Sequence, residues 1–310
     1  MDTYTAIINP MSGGGKNAGR WIKARRLFAA AGAQVVEIFS DGPGNARKIV
    51  FEKASEGERR FMAAGGDGTL NEVLSGIMDY VSSDASAKAS DFYLAVVPAG
   101  SGNDWIKSHA VPSNVEGSVE LVMAGKYSQQ DVVKVSSSKG DLWMVNVAGA
   151  GFDADICRRV NALKAMGSAG KMIYLKALIW QLGNMKSPEV EVIADGRQVF
   201  SGRFFSLSAG TGKYSGGGMR QTPDADPRDG LTDVTIIPMR VFPRIFLHVW
   251  KLYSAGFQTI PHIIPLKCRT LELIPLSGAQ VSFEVDGEDA GDLPARLEVW
   301  PDRINVLCGL

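Results

Sequence analysis

The sequence predicts an α/β domain with a parallel sheet, followed by a second domain built mainly of antiparallel strands. Over the first 128 residues, short apolar strands alternate with helical patterns, which is typical of a parallel sheet covered on both faces. From residue 129 onward, strand patterns follow one another on short turns, and this favours a β-sandwich-like domain with helices. The chain has 310 residues, enough for both domains. We therefore place the domains at 1–128 and 129–310, and expect that the last strand can return to the first sheet.

The first domain contains four apolar strand patterns, over residues 4–9, 34–39, 60–64 and 92–97. Helical patterns lie between and after them, over residues 46–56, 69–78 and 115–123. A further helix follows the first strand, because Trp21, Ile22, Phe28 and Ala29 recur at helical spacing on one predicted apolar face. The alternation predicts repeated βα units.

The second domain shows strand patterns over 131–135, 142–147, 189–194, 198–207, 231–237, 268–274 and 281–285. Asp195-Gly196 is a two-residue hairpin signal between two of these strands. Two helical stretches interrupt the strands, over residues 156–182 and 242–256.

The charge balance argues against a nucleic-acid-binding protein. Lysine and arginine total 33, as do aspartate and glutamate, and no basic stripe is visible. No apolar run reaches the roughly 18 residues that a membrane span requires. The three cysteines are widely spaced, which fits a reducing compartment. We expect a cytoplasmic protein without a nucleic-acid partner.

Three glycine-rich turns follow strands of the first domain, where open α/β sheets bind ligands. They comprise residues 9–16, 65–72 and 98–105. Backbone amides without an obstructing Cβ can approach phosphate oxygens. The first turn is not a Walker A loop, because Asn17 follows Lys16. The alternative is that Asp67 or Thr69 caps one helix and that Asn103 and Asp104 cap the next.

Together with strings in the second half, these turns resemble the diacylglycerol kinase catalytic family, which includes bacterial lipid kinases and sphingosine kinases. The strings that carry the resemblance are Asn9-Pro10 with Ser12-Gly13, GGDGTLNEV at 65–73, SGNDW at 101–105, GAGFDADI at 149–156, PDADPRDGLTDV at 223–234 and VDGE at 285–288. GGDGT alone also occurs in NAD kinases and phosphofructokinases, whereas the later strings separate the chain from both.

The resemblance implies an NAD kinase/diacylglycerol kinase-like fold with a nucleotide cleft between the two domains, and it implies ATP as co-substrate. Carried over residue by residue, the ATP contacts are Asn9, Pro10, Ser12, Gly13, Ser40, Gly65, Gly66, Asp67, Gly68, Thr69, Leu70, Asn71, Ser101 and Asn103.

The resemblance also implies a Mg²⁺ site and a general base. The metal ligands would be Asp226, Asp229 and the backbone carbonyl of Leu231, although composition alone favours an acidic surface loop. Glu288 is the first choice for the base and Asp286 the second, while Asp67 would position a phosphate or a metal-bound water.

The predicted function is an ATP-dependent lipid kinase that phosphorylates a hydroxyl group at the membrane surface. The helical stretch 156–182 is basic and apolar, and it either lies on anionic lipid or packs as an ordinary core helix. The sequence does not name the acceptor or the oligomeric state. An NAD kinase-like enzyme and a catalytically silent regulator are the alternatives.

Overall fold

The computed structural model describes residues 3–15, 17–100, 102–166, 172–184, 186–242, 249–254, 256–276 and 278–310. Its contacts divide the chain into two compact units, one of Met1–Val132 with Trp300–Leu310 and one of Val133–Val299. The division falls at 132/133 rather than at the predicted 128/129. The reason is a strand over Tyr127–Gln130, which pairs with the last strand of the chain and so joins the first unit.

The first unit contains a six-stranded sheet with helices between its strands. In chain order its elements are β1 (Tyr4–Ile8), α1 (Asn17–Ala30), β2 (Val35–Phe39), α2 (Asn45–Ser55), β3 (Arg60–Gly65), α3 (Asp67–Ser83), β4 (Tyr93–Pro98), α4 (Asp104–Ser108), α5 (Val115–Met123), β5 (Tyr127–Gln130) and the C-terminal strand β17 (Ile304–Leu307). A 3₁₀ turn over Ala89–Asp91 precedes β4.

The order of the strands in this sheet is β2-β1-β3-β4-β17-β5. All neighbours are parallel except β17 and β5, which are antiparallel. β1 is buried along its whole length and β3 and β4 nearly so, as expected of strands covered on both faces. The carboxyl ends of β1, β3 and β4 therefore lie side by side at one edge of the sheet.

Helix α1 buries two of the four residues predicted for its apolar face, Trp21 and Phe28, but not Ile22 and Ala29. Trp21, Ala24 and Phe28 are buried, whereas Ile22 is 44% exposed. Ala29 is also exposed. Trp21, Ala24 and Phe28 are spaced three and four residues apart, so they lie on one face of the helix. Ile22 and Ala29 each directly follow a buried residue and therefore lie to the side of that face.

The second unit is antiparallel throughout. Its elements are β6 (Val133–Ser137), β7 (Gly140–Met144), β8 (Val147–Gly151), α6 (Phe152–Ala165), α7 (Met172–Gly183), β9 (Glu189–Ala194), β10 (Arg197–Gly210), β11 (Thr232–Pro238), β12 (Ile264–Cys268), β13 (Thr270–Pro275), β14 (Ser282–Val285), β15 (Glu288–Asp292) and β16 (Ala295–Val299), with 3₁₀ turns at Met239–Val241, Val249–Tyr253 and Phe257–Thr259.

The long strand β10 takes part in both sheets of this unit. Its first half pairs with β9, and its second half pairs with β8 and β11. Apolar side chains from both sheets share one buried core that includes Val192, Phe204, Leu271 and Phe283. This is a β-sandwich-like domain.

Several predicted elements of the second unit are revised. The hairpin at Asp195-Gly196 is confirmed, because β9 and β10 pair across it and both turn residues have positive φ. The helical stretch 156–182 consists of two helices, α6 and α7, and residues 167–171 lie outside the described part. Of the stretch 242–256, residues 243–248 also lie outside it, and Val249–Tyr253 forms a 3₁₀ turn.

Candidate active site

The three glycine-rich turns of the first unit meet because they follow β1, β3 and β4, which are neighbours in the parallel sheet. Gly66 and Gly100 approach each other closely, since a Cβ on Gly100 would lie 2.6 Å from Gly66 Cα. A Cβ on Gly13, whose φ is +61°, would collide with the carbonyl oxygen of Ala99. The glycines thus let three loops pack backbone against backbone. We call the resulting side-chain-poor surface the loop surface; it comprises residues 9–13, 65–69, 99–100 and 102–103.

Polar side chains connect the first two loops. Asn9 Nδ2 donates to Thr69 Oγ1 at 3.3 Å, and the hydroxyl oxygens of Ser12 and Thr69 are 3.4 Å apart. Asn17, which is buried, donates from Nδ2 to the carbonyl oxygens of Asn9 (2.6 Å) and Ala64 (2.8 Å). Asn17 was not among the predicted site residues, although an asparagine at the first position of a helix after a glycine run is a signal for one. Asn17 fixes the first loop to the end of β3.

Asp67 connects the second loop to the third. Its carboxylate accepts the backbone N–H groups of Asp104 (3.1 Å) and Trp105 (3.2 Å), the first residues of α4. Burial raises the pKa of Asp67, and the two backbone hydrogen bonds oppose that rise. The predicted capping of α3 by Asp67 or Thr69 is wrong, because Gly66 is its N-cap and no side chain bonds there.

The remaining predicted ATP contacts occupy different environments. Ser40 follows β2 and is buried, and its hydroxyl donates to Ile8 O at 3.4 Å. Asn103 is the N-cap of α4 with φ 48°, but its side chain donates to Gly100 O at 3.0 Å rather than capping the helix.

Two further predicted ATP contacts lie in the first turns of α3. Leu70 is buried, and its N–H bonds to Gly66 O. Asn71 Oδ1 accepts from the hydroxyl of Ser75. Ser101 lies outside the described residues.

In the second unit, Asp286 and Gly287 form the two-residue turn between β14 and β15, and both have positive φ. The Asp286 carboxylate accepts three backbone N–H groups, those of Val145 (2.9 Å), Asn146 (3.0 Å) and Val147 (2.9 Å). Both of its oxygens are used. Asp286 therefore anchors the β7–β8 connection, while Glu288, the first residue of β15, is exposed.

Two acidic residues near this turn were not predicted as site residues. Glu284 Oε2 accepts the N–H of Gly287 at 2.7 Å. Burial, together with the charges of Asp286, Asp153 and Glu288, raises the pKa of Glu284 to about 8, and the hydrogen bond from Gly287 opposes that rise. The alternation of the strand could have indicated this position, because Phe283 and Val285 face the core and Glu284 between them must face the opposite side of the sheet.

Asp153, within the GAGFDADI string, is the second of these residues. It accepts from Ser206 Oγ at 2.6 Å and from Gln221 Nε2 at 2.9 Å, and burial raises its pKa. Gln221 directly precedes the acidic loop of residues 222–231. The hydrogen bonds of Asp153 therefore tie helix α6 to β10 and to the start of that loop.

The predicted metal ligands lie in this acidic loop. Asp226 Oδ1 and Asp229 Oδ1 accept the N–H groups of Arg228 (3.1 Å) and Leu231 (3.0 Å), respectively. Asp229 Oδ2 accepts from Lys267 Nζ at 2.8 Å, so a cation bound there would share this carboxylate with the ammonium group. Carboxylate and carbonyl oxygens are the ligands that Mg²⁺ prefers, and the donor set fits in its chemistry. Within the described ranges, no three His, Cys, Asp or Glu side chains cluster as metal ligands.

Two family models match the chain. The diacylglycerol kinase catalytic domain matches residues 3–135, and the YegS C-terminal NAD kinase beta sandwich-like domain matches residues 146–308. The chain therefore belongs to the diacylglycerol kinase and YegS-type lipid kinase family. Membership confirms the predicted α/β and β-sandwich-like architecture, and it supports the lipid kinase interpretation over the two alternatives. A kinase of this family implies ATP as co-substrate.

Curated relatives cover most of the chain. A "Diacylglycerol kinase" of Mycobacterium tuberculosis (strain CDC 1551 / Oshkosh) is 26% identical over 98% of this chain and 94% of its own. A "Probable lipid kinase YegS-like" of Xanthomonas axonopodis pv. citri (strain 306) is 28% identical over 85% of this chain and 83% of its own. A solved structure from Bacillus anthracis str. Sterne, 19% identical, has the same fold, with a TM-score of 0.76 over 99% of this chain and 97% of that one.

Proposed function

We propose that this protein transfers the γ-phosphoryl group of ATP to the hydroxyl group of a diacylglycerol-like lipid. The observation that carries the proposal is the loop surface, where glycines let three backbone segments at the carboxyl edge of a parallel sheet approach one another closely. Such a surface offers amide N–H groups to phosphate oxygens at close range. The printed names of the curated relatives support a lipid as the acceptor.

ATP would bind at the loop surface through backbone amides and a few small polar groups. The hydroxyls of Ser12 and Thr69 and the amide of Asn9 already form one hydrogen-bonded group. Hydroxyl groups and amides can hydrogen-bond phosphate oxygens without adding charge. Asp67 would act indirectly, because its carboxylate holds the start of α4 and thus the third loop in place.

Mg²⁺ is proposed as the accompanying metal. Asp226, Asp229 and the carbonyl of Leu231 would hold it in the acidic loop, with water as the other ligands. When bound, the ion would fix the conformation of the loop, which Asp153 reaches through Gln221. A second Mg²⁺ would arrive with ATP.

Glu288 is the proposed general base. The acceptor hydroxyl attacks the γ-phosphorus, its proton passes to the Glu288 carboxylate, the bond from the γ-phosphorus to the bridging oxygen breaks, and ADP leaves. Asp286 suits this role less well, because backbone N–H groups occupy both of its oxygens.

The membrane contact is proposed for helix α7. Its inward side carries Ala177 and the buried Gln181, which donates to Asp155 at 2.7 Å. Its outward side carries Ile179 and Trp180, which are 62% and 45% exposed. Exposed apolar side chains on a helix beside basic groups such as Arg159, which lies 4.5 Å from the Trp180 ring, suit an anionic lipid surface.

The test is incubation of the protein with ATP, Mg²⁺ and total lipid extract, followed by mass spectrometry of phosphorylated products, with NAD as a competing acceptor. Glu288→Gln should keep the wild-type melting temperature and ATP affinity but lower turnover by about 10²-fold or more. Glu298→Gln, the same change at an exposed position of β16, is the control. Phosphorylation of NAD but of no lipid would refute the proposal.

A further inference from the structure

Glu284 lies on the side of β14 that faces away from the sandwich core. Phe283 and Val285, its neighbours in the strand, are both part of that core. In register, Glu284 pairs with Gly149 on β8. The Glu284 carboxyl occupies the space above this glycine, since a Cβ on Gly149 would lie 2.8 Å from Glu284 Oε1. The absence of a side chain at position 149 therefore leaves room for Glu284.

The Gly287 peptide is held on both sides. Its N–H donates to Glu284 Oε2 at 2.7 Å, and its carbonyl oxygen accepts from Cys157 Sγ (2.9 Å) and Asn161 Nδ2 (3.2 Å) of helix α6. The next residue is Glu288. A shift of the Gly287 backbone would move the Glu288 backbone directly, because the two residues are bonded to each other.

We propose that Glu284 is a positioning residue for phosphoryl transfer, holding the Gly287 peptide so that the Glu288 carboxylate is correctly placed for the acceptor hydroxyl. This inference rests on the proposed function. Glu284 itself would touch neither ATP nor lipid in this role. Its effect on turnover would pass entirely through the hydrogen bond to Gly287.

The charge of Glu284 matters for this role. The charges that raise the pKa of Glu284 are those of Asp286 in the turn, Asp153 of α6 and Glu288 of β15, and the thiol of Cys157 also faces the turn through the Gly287 carbonyl oxygen. The pKa of Glu284 is raised to about 8, so near neutral pH the group is mostly protonated and accepts the Gly287 N–H without adding a further negative charge. Above that pH, the ionised group repels Glu288 and Asp286 and disturbs the turn.

Two substitutions separate the hydrogen bond from the charge. Glu284→Gln keeps an acceptor for Gly287, so its kcat at pH 7 should stay within about 3-fold of the wild type. We expect the kcat of the wild type to fall above pH 8, where Glu284 ionises, and Glu284→Gln, which cannot ionise, should not show this fall. Glu284→Leu has no acceptor, and kcat should fall about 10- to 100-fold while the KM for ATP stays constant. A Glu284→Leu variant with wild-type kcat would overturn the inference.

Gly149→Ala tests the same contact from the opposite strand. The added methyl group displaces the Glu284 carboxyl without changing any charge. Gly149→Ala should therefore lower kcat, and Gly149→Ala combined with Glu284→Leu should be no slower than Glu284→Leu alone, because both act on one hydrogen bond. Additive losses would contradict a shared mechanism.

A measurement without turnover keeps this inference separate from the proposed function. In ¹H–¹⁵N NMR spectra, the Gly287 amide resonance of the wild type should titrate with a midpoint near pH 8, and this titration should be absent in Glu284→Gln. If no lipid is phosphorylated but Gly287 titrates in this way, the proposed function fails and the positioning contact stands. A Gly287 resonance that is identical in both proteins at every pH would refute the contact.

Discussion

Replacement of Asp286 by asparagine would test whether this residue anchors the fold or takes part in the chemistry. Asp286 has φ +50°, a conformation that asparagine tolerates well, so the change adds no backbone strain. Asp286 Oδ1 accepts from Asn146 and Val147, and Oδ2 accepts from Val145. In Asp286→Asn, the amide oxygen can keep two of these bonds, while the amide nitrogen faces the third N–H group.

The expected loss of stability follows from these three bonds. In Asp286→Asn the buried N–H of Val145 meets an amide nitrogen, a second donor, in place of the carboxylate oxygen, and this costs about 1–3 kcal/mol. The two retained bonds weaken by about 1 kcal/mol each, because the acceptor loses its charge. We expect a total loss of about 4 kcal/mol, which lowers the melting temperature of a unit of this size by roughly 10 °C.

Asp195→Asn is the matched control. Asp195 also occupies a hairpin turn with positive φ, at 49°, but it accepts the N–H groups of Arg269 and Thr270 through Oδ1 alone. Asparagine can keep both bonds, and water already screens the charge of the exposed Asp195, so calorimetry should show a loss of less than about 1 kcal/mol. If Asp286→Asn melts at the wild-type temperature, the anchoring role is wrong. If it does so and also loses turnover, Asp286 takes the place of Glu288 as the base.

Three further predictions concern other parts of the molecule. Gly100→Ala should prevent the second and third loops from packing and weaken ATP binding at least 10-fold in calorimetric titration, while Gly19→Ala, at an exposed glycine of helix α1 with open space around it, should not. Lys267→Met should lower the free energy of unfolding at pH 8 by about 1–3 kcal/mol, because the buried Asp233 carboxylate loses its ion pair with Lys267. The pKa of Asp233 is raised to about 6, so this loss of stability should shrink below pH 6, where the carboxyl takes up a proton. Replacing Ile179 and Trp180 by serine should reduce sedimentation with anionic vesicles and leave the melting temperature within about 2 °C of the wild type, since both side chains are exposed. Sedimentation equal to that of the wild type would exclude α7 as the membrane contact.

Local sequence patterns were sufficient to predict most of the parallel sheet. Buried strands such as β3 and β4 are continuous apolar runs that end at glycine or proline, and this signal needs no knowledge of the partner strand. The Asp195-Gly196 hairpin was equally local. The parallel arrangement also predicted that the glycine loops would lie together, because the carboxyl ends of neighbouring parallel strands share one edge.

Contacts between residues distant in sequence could not be predicted in this way. In the sequence, Glu284 is an ordinary charged residue of a strand. Only the pairing of β14 with β8 shows that it lies opposite Gly149. Asp67 looked like a cap for its own helix, whereas its partners are backbone N–H groups 37 and 38 residues further along the chain. Short strands such as β5 and β15 were missed because four or five residues carry too little periodicity.

The position of β17 has a consequence for how the protein can be made and divided. This strand lies between β4 and β5, so the first unit's sheet needs residues that the ribosome adds only after the whole second unit. A fragment ending at Val132 would leave the edge of β4 exposed and would separate β5 from its partner strand β17. Grafting residues 300–310 onto that fragment through a short linker is therefore the way to obtain the first unit by itself.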